Sequence, residues 1–594
     1  LFEHPGFAAF AKALAQDQGR AQVQVPPNGI PPGCEAISAQ MVTLVALDEQ
    51  EIRRIEAAVP GGAANIQDIY PLAPLQEGIL FHHLLQTRGD VYVYPLLLSF
   101  DSRDRLERFI ESFDRVIARH DILRTAIAWE GLREPVQVVW REARLQLQWL
   151  EEDEASAGMD VAERLNARVD PIGYRIDVRR APMVEAVAAH DAANRRWLLQ
   201  LPCHHLISDH TTLELLMDEI ASIQQNPEIK LPSPVPFRDF VARARLGLST
   251  DEHEAFFSRM LGDVTEPTTP FGLTDVRGDG SGIDDARLAL DPALASQLRR
   301  QAQHHGVSPA TLFHLAWALV LSRATGKDDV VFGTVLFGRM QGGEGAERAM
   351  GLCMNMLPLR IRLGALSIEQ CVREMHAALT QLMHHEHASL TLAQRCSGLP
   401  KGAPLFSSLL NYRHSPRRAS AGGSDWEGIE FLAGQERSNY PLGLSVSDLG
   451  DGFALTAQVS SSVGATRVCE YMRAAVAEVV DALVHRPGQL ALEIDVMAGL
   501  RVRSPAALPP AAPAGRRAHE APRDDAERTL AAIWAQLLGV RRVGRHDNFF
   551  QLGGDSLLSL RMMLALRQQR PGSRRLALSD VMLADTLKEL AALC

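Results

Sequence analysis

No apolar run in this 594-residue chain reaches the ~18 residues that a helix needs to cross a bilayer, and the first residues lack the charged-then-apolar order of a secretory signal. A membrane span is not expected. Cysteine is scarce: seven residues, at 34, 203, 353, 371, 396, 469 and 594, form no CxxC pair. That spacing argues against a disulfide framework or a thiolate zinc site and fits a reducing cytoplasm. Cations are outnumbered, with 61 Lys and Arg against 72 Asp and Glu and a net charge of −11. Nucleic acid is therefore not an expected partner, because phosphate binding needs clustered Lys and Arg. What the chain does have is length and 46% hydrophobic composition, more than one core usually serves, so a large two-lobed unit plus a smaller one is expected. It begins at Leu1 rather than Met, which reads as an excised fragment.

Arg501 to Pro522 holds five prolines and no apolar periodicity, the composition of a semi-rigid linker. Beyond it, Leu530, Ile533, Trp534, Leu537 and Leu538 mark one face of a helix that Asp524 or Asp525 can cap and Gly539 can close. Two more helical patterns, Leu557 to Leu566 and Leu583 to Leu593, complete a small bundle. The start of the chain echoes its end: Phe2, Phe7 and Phe10 fall where Met582, Leu587 and Leu590 fall. We therefore expect residues 1–16 to be the last helix of a truncated earlier copy, and 17–60 to be a polar linker. Between the bundles, strand-like runs (Val91 to Phe100, Trp197 to Cys203, Asp329 to Leu336, Phe453 to Val459) alternate with helical patterns (Leu106 to Ala118, Leu213 to Ile223), an α/β or α+β pattern. Ser308 to Arg323, with Pro309 in its first turn, is apolar nearly all round and should be a buried helix that seeds a second lobe.

The run from Trp197 to Cys203 ends in His204-His205-Leu-Ile-Ser-Asp209-His210, and a helix opens directly after. Neighbouring side chains on an extended segment face opposite ways, so one histidine can project into a cleft, and His205 is the candidate. His204 would point inward and hold backbone groups in place. A near-neutral imidazole can accept a proton from a nucleophile or position it. Asp209 can cap the helix or pair with a basic residue, and the helix N-terminus adds a positive dipole near a developing oxyanion. A metal held by His204, His205, Asp209 and His210 is disfavoured, since adjacent residues seldom converge on one ion and no distant carboxylate is evident. His210, at the helix start, is better suited to packing or capping than to catalysis.

HHLISD, together with YPLAPLQEGILFHHLL (70–85), RHDILRT (119–125), MGLCMNMLPLRIRL (350–363) and ERSNYPL (436–442), resembles the motif series of nonribosomal peptide condensation domains over about residues 64–498. His82-His83-Leu84-Leu-Gln-Thr-Arg-Gly89-Asp90 and DHTTLE (209–214) are similar to the subclass with dual epimerisation and condensation activity, as are VFGTVLFGRMQGG (331–343) and HEHASLTLAQR (385–395). The resemblance implies a V-shaped pair of α/β lobes similar to chloramphenicol acetyltransferase, residues 61–235 and 236–499, with a tunnel that donor and acceptor carriers enter from opposite ends. It implies catalytic His205, His204 and Asp209, an Asp209 partner in Arg339, supporting roles for Asn355 and Arg360, and His82 and His83 on a helix beside the cleft. In the subclass, the donor's terminal residue would first be inverted from L to D.

DNFFQLGGDSLLS (547–559) is similar to the peptidyl carrier signature. It implies a four-helix carrier domain over 523–594, joined by a 500–522 linker, with 4'-phosphopantetheine on Ser556. Glycines permit an exposed turn, and a phosphodiester at the helix N-terminus meets free amides. The partners implied are an upstream peptidyl carrier domain as donor, this or a downstream carrier as acceptor, and a phosphopantetheinyl transferase. The linker leads to the carrier with no adenylation domain between, so such a domain acting in trans is a further candidate partner. Met356 and Cys353 depart from the usual motif, which bears on substrate fit. Two other functions stay open at this stage: a catalytically silent chain-passing module and an acyltransferase using a soluble thioester.

Overall fold

The computed structural model describes residues 23–86, 88–150, 160–170, 173–274, 282–339, 345–400, 403–414, 426–434 and 440–496, and residues 520–594 in part. The expected helix at 1–16, residues 500–519 of the linker and Gly553 to Asp555 lie outside the described residues.

Alternating and continuous apolar runs build three sheets among the described residues. The smallest orders β1 (Ile66–Pro71), β4 (Val136–Trp140) and β3 (Thr125–Ala128) with β4 central. The second runs β12 (Ile429–Gly434), β2 (Val93–Phe100), β7 (Arg196–His204), β6 (Ala186–Asp191), β5 (Leu147–Trp149). The third runs β10 (Asn355–Arg362), β9 (Asp329–Leu336), β11 (Ser408–His414), β13 (Leu442–Asp448), β14 (Phe453–Ser460), β8 (Ile283–Ala289). In the second sheet β2 and β7 pair antiparallel with Val93 opposite His204, which fixes the height at which β7 ends.

Residues 23–60 differ from the polar linker expected. Ile30, Ile37, Val42, Val45 and Leu47 are buried, and helix α1 (Glu49–Ala58) adds Ile52 and Ile55 against β1 and β4. Their spacing follows neither period 2 nor 3.6, because a strap laid over a sheet buries side chains wherever its path allows. Asp48 caps α1 in a capping box with Glu51, and Arg133 grips the same Glu51 at 2.8 Å.

Helix α2 (Pro74–Leu85) starts with proline in its first turn. Its Gln76 is wholly buried, accepting from the Ala73 amide and donating to Gln137 Oε1 and the Leu206 carbonyl at 2.9 and 2.7 Å. Helix α3 (Arg103–Arg119) buries Leu106, Phe109, Ile110, Phe113, Val116 and Ile117, one face at helical spacing. It packs with α4 (His210–Gln225) on the second sheet. The boundary between lobes is less linear than expected. Phe237, Phe240 and Val241 of helix α5 (Phe237–Leu246) and residues 349–353 join the first lobe's core, and β12, from late in the chain, completes its sheet.

In the second lobe, helix α6 (Pro309–Thr325) is capped by Ser308 and stopped by Gly326 at φ 71°. Every residue from Thr311 to Ser322 is buried, as its uniform apolarity predicted. It packs against α7 (Ala465–His485) and the third sheet.

The carrier region holds α8 (Asp525–Leu538), capped by Asp524 and ended by left-handed Gly539, then α9 (Ser556–Gln569) and α10 (Leu587–Ala592). Leu530, Ile533, Trp534, Phe549, Met562 and Leu587 form its core. Phe81 of α2 joins that core and Leu84 and Leu85 lie against it, so the helix opened by Ser556 rests on the first lobe. The Arg561–Glu134 pair, at 3.7 Å, sits at the same contact.

Candidate active site

β7 delivers His204 as its last residue, and the chain then tightens into a 3-10 turn, His205–Ile207, before Asp209 starts α4. The change of conformation splits the pair. His204 has no exposure at all, whereas His205 keeps 7%, so of the two His205 is the one that meets accessible space.

His204 is anchored at both nitrogens. Its Nδ1 accepts the Leu206 amide at 3.1 Å, and its Nε2 lies 3.0 Å from Asp90 Oδ2. The first bond fixes the tautomer: the proton sits on Nε2 and is donated to Asp90. His83 Nδ1 reaches the same Oδ2 at 2.5 Å, and Asp90 Oδ1 accepts the Tyr92 amide at 2.9 Å. Burial opposes charge on Asp90, but the bonds from His204 and His83 outweigh it and hold the carboxyl far below the usual carboxylate range. Burial lowers the His204 pKa in turn, despite Asp90, so His204 is neutral at pH 7.

His205 is held differently. Its backbone amide donates to the Tyr92 carbonyl at 2.9 Å, and its ring lies 4.6 Å, centroid to centroid, from Tyr94. The Tyr94 hydroxyl is itself bonded to Ser208 Oγ. His205 Nδ1 sits 3.2 Å from the Ser208 carbonyl, which can only accept. The proton is thus on Nδ1, and Nε2 carries the lone pair of a base.

Asp209 both caps and pairs. Its Oδ1 accepts the Thr212 amide and hydroxyl at 2.9 and 2.8 Å, and Arg339 grips both carboxylate oxygens at 2.8 Å. The Cys353 amide adds a bond at 3.1 Å to Oδ2. Asp209 therefore ties α4 to segments 339 and 349–353 of the later half of the chain.

The other expected residues separate. His83 joins the Asp90 network, while His82 contacts the rings of Phe81 and Tyr92. His210 is partly exposed and sits 3.3 Å from Glu214, one turn along α4. Asn355 donates to the carbonyls of Glu386 and Ala388, both at 2.7 Å. Arg360 is spent on Asp263 and Asp329. Cys353 is fully buried, and burial pushes its thiol up to about 12, so it is an inert packing residue. Asp90, Tyr94 and Ser208 were not singled out from sequence as site residues. Asp90 stood in the quoted Gly89-Asp90 pair, and it is the distant carboxylate that no spacing revealed.

Ser556 opens α9 with no acidic residue in the first turn. The amides at the N-terminus of a helix favour a phosphodiester, and this 14-residue helix carries no acidic residue in its first turn, so the place fits a phosphopantetheine arm. All seven cysteines are free, and among the described residues no helix is long and apolar enough to cross a membrane.

Comparison with known proteins agrees with this layout. Residues 66–498 match the condensation domain family and residues 528–594 the phosphopantetheine attachment site family. Malpinin synthetase of Mortierella alpina is 43% identical over 499 residues, covering 84% of this chain but 6% of that protein. Malpibaldin synthetase of the same organism is 44% identical over 487 residues, 82% of this chain and 9% of that protein. The chain thus spans a small part of the relatives it matches. The solved condensation domain of a monacolin K polyketide synthase superposes with a TM-score of 0.56 at 19% identity, over 72% of this chain and all of that one. That likeness shows the fold, the V-shaped pair of chloramphenicol-acetyltransferase-like lobes.

Proposed function

The chain belongs to the condensation-domain family, with a phosphopantetheine attachment domain behind it, and we propose that it forms amide bonds in nonribosomal peptide synthesis. The donor is a peptidyl thioester on an upstream carrier, and the acceptor an amine tethered to this chain's own carrier or a downstream one. The amine nitrogen attacks the thioester carbonyl carbon, the C–N bond forms, the C–S bond breaks, and the thiolate leaves with the proton the amine gives up.

One observation carries this reading: the Ser208 carbonyl accepts a hydrogen bond from His205 Nδ1–H and leaves Nε2 as an acceptor at the only member of the pair with any exposure. We assign His205 to hold the amine or take its proton, His204 to brace the turn, and Asp209 with Arg339 to lock α4 to the later half of the chain. Contact of α9 with α2 supports this chain's own carrier as an acceptor. A phosphopantetheinyl transferase would install the arm, which supplies the thiol that holds an acyl group as thioester. An adenylation domain acting in trans is the source we assign for its charge, and the cytoplasm is the setting.

The finer activity we assign is inversion of the donor's terminal Cα from L to D before condensation. Its support is the His82-His83 to Gly89-Asp90 pattern. The Cα proton, acidified by the adjacent thioester, passes to His205 Nε2 and a proton returns to the opposite face.

The test is to load an L-ended peptidyl arm on an upstream carrier, supply aminoacyl-Ser556, and follow product by mass spectrometry and its configuration by chiral analysis. Amide product that disappears in His205→Ala is the expected result. Undiminished product in that variant removes the mechanism, and product that keeps L configuration removes the epimerase half alone.

A further inference from the structure

Two histidine motifs that are far apart in the sequence, one on α2 and one at the end of β7, meet on a single carboxylate. His83 and His204 both donate to Asp90 Oδ2, at 2.5 and 3.0 Å, although 114 residues separate Asp90 from His204. Gly89 is left-handed, at φ 72°, and Arg175 donates to the carbonyls of His83, Gln86 and Gly89. The His83 carbonyl lies in the last turn of α2, where the helix itself supplies no partner, and the Gln86 and Gly89 carbonyls follow its end. All three members of the cluster are buried: His83 is 5% exposed, Asp90 1% and His204 0%.

We propose that Asp90 is a positioning residue for the amide-forming step, which braces the turn that aims His205 by fixing the proton of His204. This rests on the functional reading above. The chain of contacts is short. Asp90 Oδ2 holds the His204 proton on Nε2, which leaves Nδ1 to accept the Leu206 amide, and Leu206 lies in the turn that carries His205. On its other side Asp90 Oδ1 holds the Tyr92 amide, and the Tyr92 carbonyl receives the His205 amide. Both routes from one carboxylate end on the backbone of His205.

An asparagine at 90 cannot serve both routes. Turned one way, its NH2 group meets the N–H donors of His83 and His204; turned the other, it meets the Tyr92 amide. Either orientation loads a donor against a donor and moves the backbone that holds His205.

The same three side chains have metal-ligand chemistry, but the hydrogen bonds already made assign a proton to each nitrogen that faces Asp90. A metal would have to displace both.

The experiment compares Asp90→Asn with the wild-type full chain in single-turnover amide formation, using a loaded upstream carrier, and locates the ring protons by 15N-histidine NMR. Expected is a rate lower by on the order of 10² to 10⁴-fold, as for a misplaced or wrongly protonated catalytic imidazole. Half-saturation by donor carrier should be unchanged and folding retained. Wild-type His204 should show its proton on Nε2, and the variant should lose that single-tautomer signature or shift the resonances of His205. A wild-type rate in Asp90→Asn, or a wild-type His204 protonated on Nδ1, overturns the proposal. So does a wild-type rate that is lost to a chelator and restored by zinc, which would make the trio a metal site. If Asp90→Asn does not fold, His83→Asn replaces it: a loss of rate in folded protein supports the brace, and an undiminished rate overturns it. If the wild type forms no amide, the functional reading fails by itself, and the tautomer measurement still decides where the His204 proton lies.

Discussion

Each lobe contains a buried group of histidines, and they are built on opposite principles. In the first lobe, His83 and His204 close on the carboxylate of Asp90. In the second, His253 Nδ1 lies 3.0 Å from His385 Nδ1, and the His385 ring stacks on Phe256 with centroids 4.1 Å apart. Among the described residues, the hydrogen-bond partner of each of these rings is the other ring and not a carboxylate. Burial first, then His253 and His384, push the His385 pKa down to about 4, with Arg259 adding to the effect and Glu252 opposing it. His253 is lowered by burial as well. A buried imidazole beside a carboxylate is an oriented donor, while one stacked on an aromatic ring is a filler. Residue type alone distinguishes nothing here.

The largest expected effect breaks the first lobe's side of the contrast. His205→Ala should slow amide formation by on the order of 10² to 10⁴-fold, the usual contribution of a positioned acid or base, with the fold intact by circular dichroism. Second, Arg339→Met leaves the Asp209 charge buried without its cation, and stability should fall by about 3 to 5 kcal/mol, read by denaturant unfolding. Third, the lobes should respond differently to acid. His253 and His385 have folded pKa values below their unfolded value of about 6.5, so the unfolded chain binds more protons and stability falls as pH drops from 6.5 toward 4. Burial lowers His204 in the first lobe too, but there the bond to the Asp90 carboxylate opposes the shift; Asp90 itself is also depressed, and its contribution persists until pH falls below the unfolded carboxylate value of about 3.9. Hydrogen exchange at pH 5 should therefore rise at residues 250–261 and 385–388 before it rises at 204–212; the reverse order would remove the contrast. The smallest effect sharpens it: His385→Phe keeps a ring on Phe256, should change neutral-pH stability by less than about 1.5 kcal/mol, and should reduce the acid sensitivity in the same exchange experiment.

Local pattern was legible in the sequence wherever one element decides its own burial. β9 falls at Asp329–Leu336, where the apolar run placed it, and α6 follows its capping serine and first-turn proline. His204, His205 and Asp209 were legible because they stand within six residues of one another at a strand-to-helix junction. What failed was long-range. Nothing in Ile429 to Gly434 says that it pairs with β2, more than 300 residues earlier, and nothing in Asp90 says which histidines it will meet. The apolar residues between Ile30 and Leu47 carry no period, since a strap takes its burial from the surface beneath it. The composition 23–60 shares with a linker therefore concealed part of a core.

The late strand β12 has a practical consequence for anyone dividing the molecule. It hydrogen-bonds β2 from Ile429 against Phe100 to Gly434 against Leu96, so cutting the polypeptide between 235 and 236 would lay bare a row of backbone groups along β2, the kind of edge that recruits other chains into aggregates. The halves are interlaced, not joined end to end. Recombining this module with others should move residues 23–496 as one indivisible cassette.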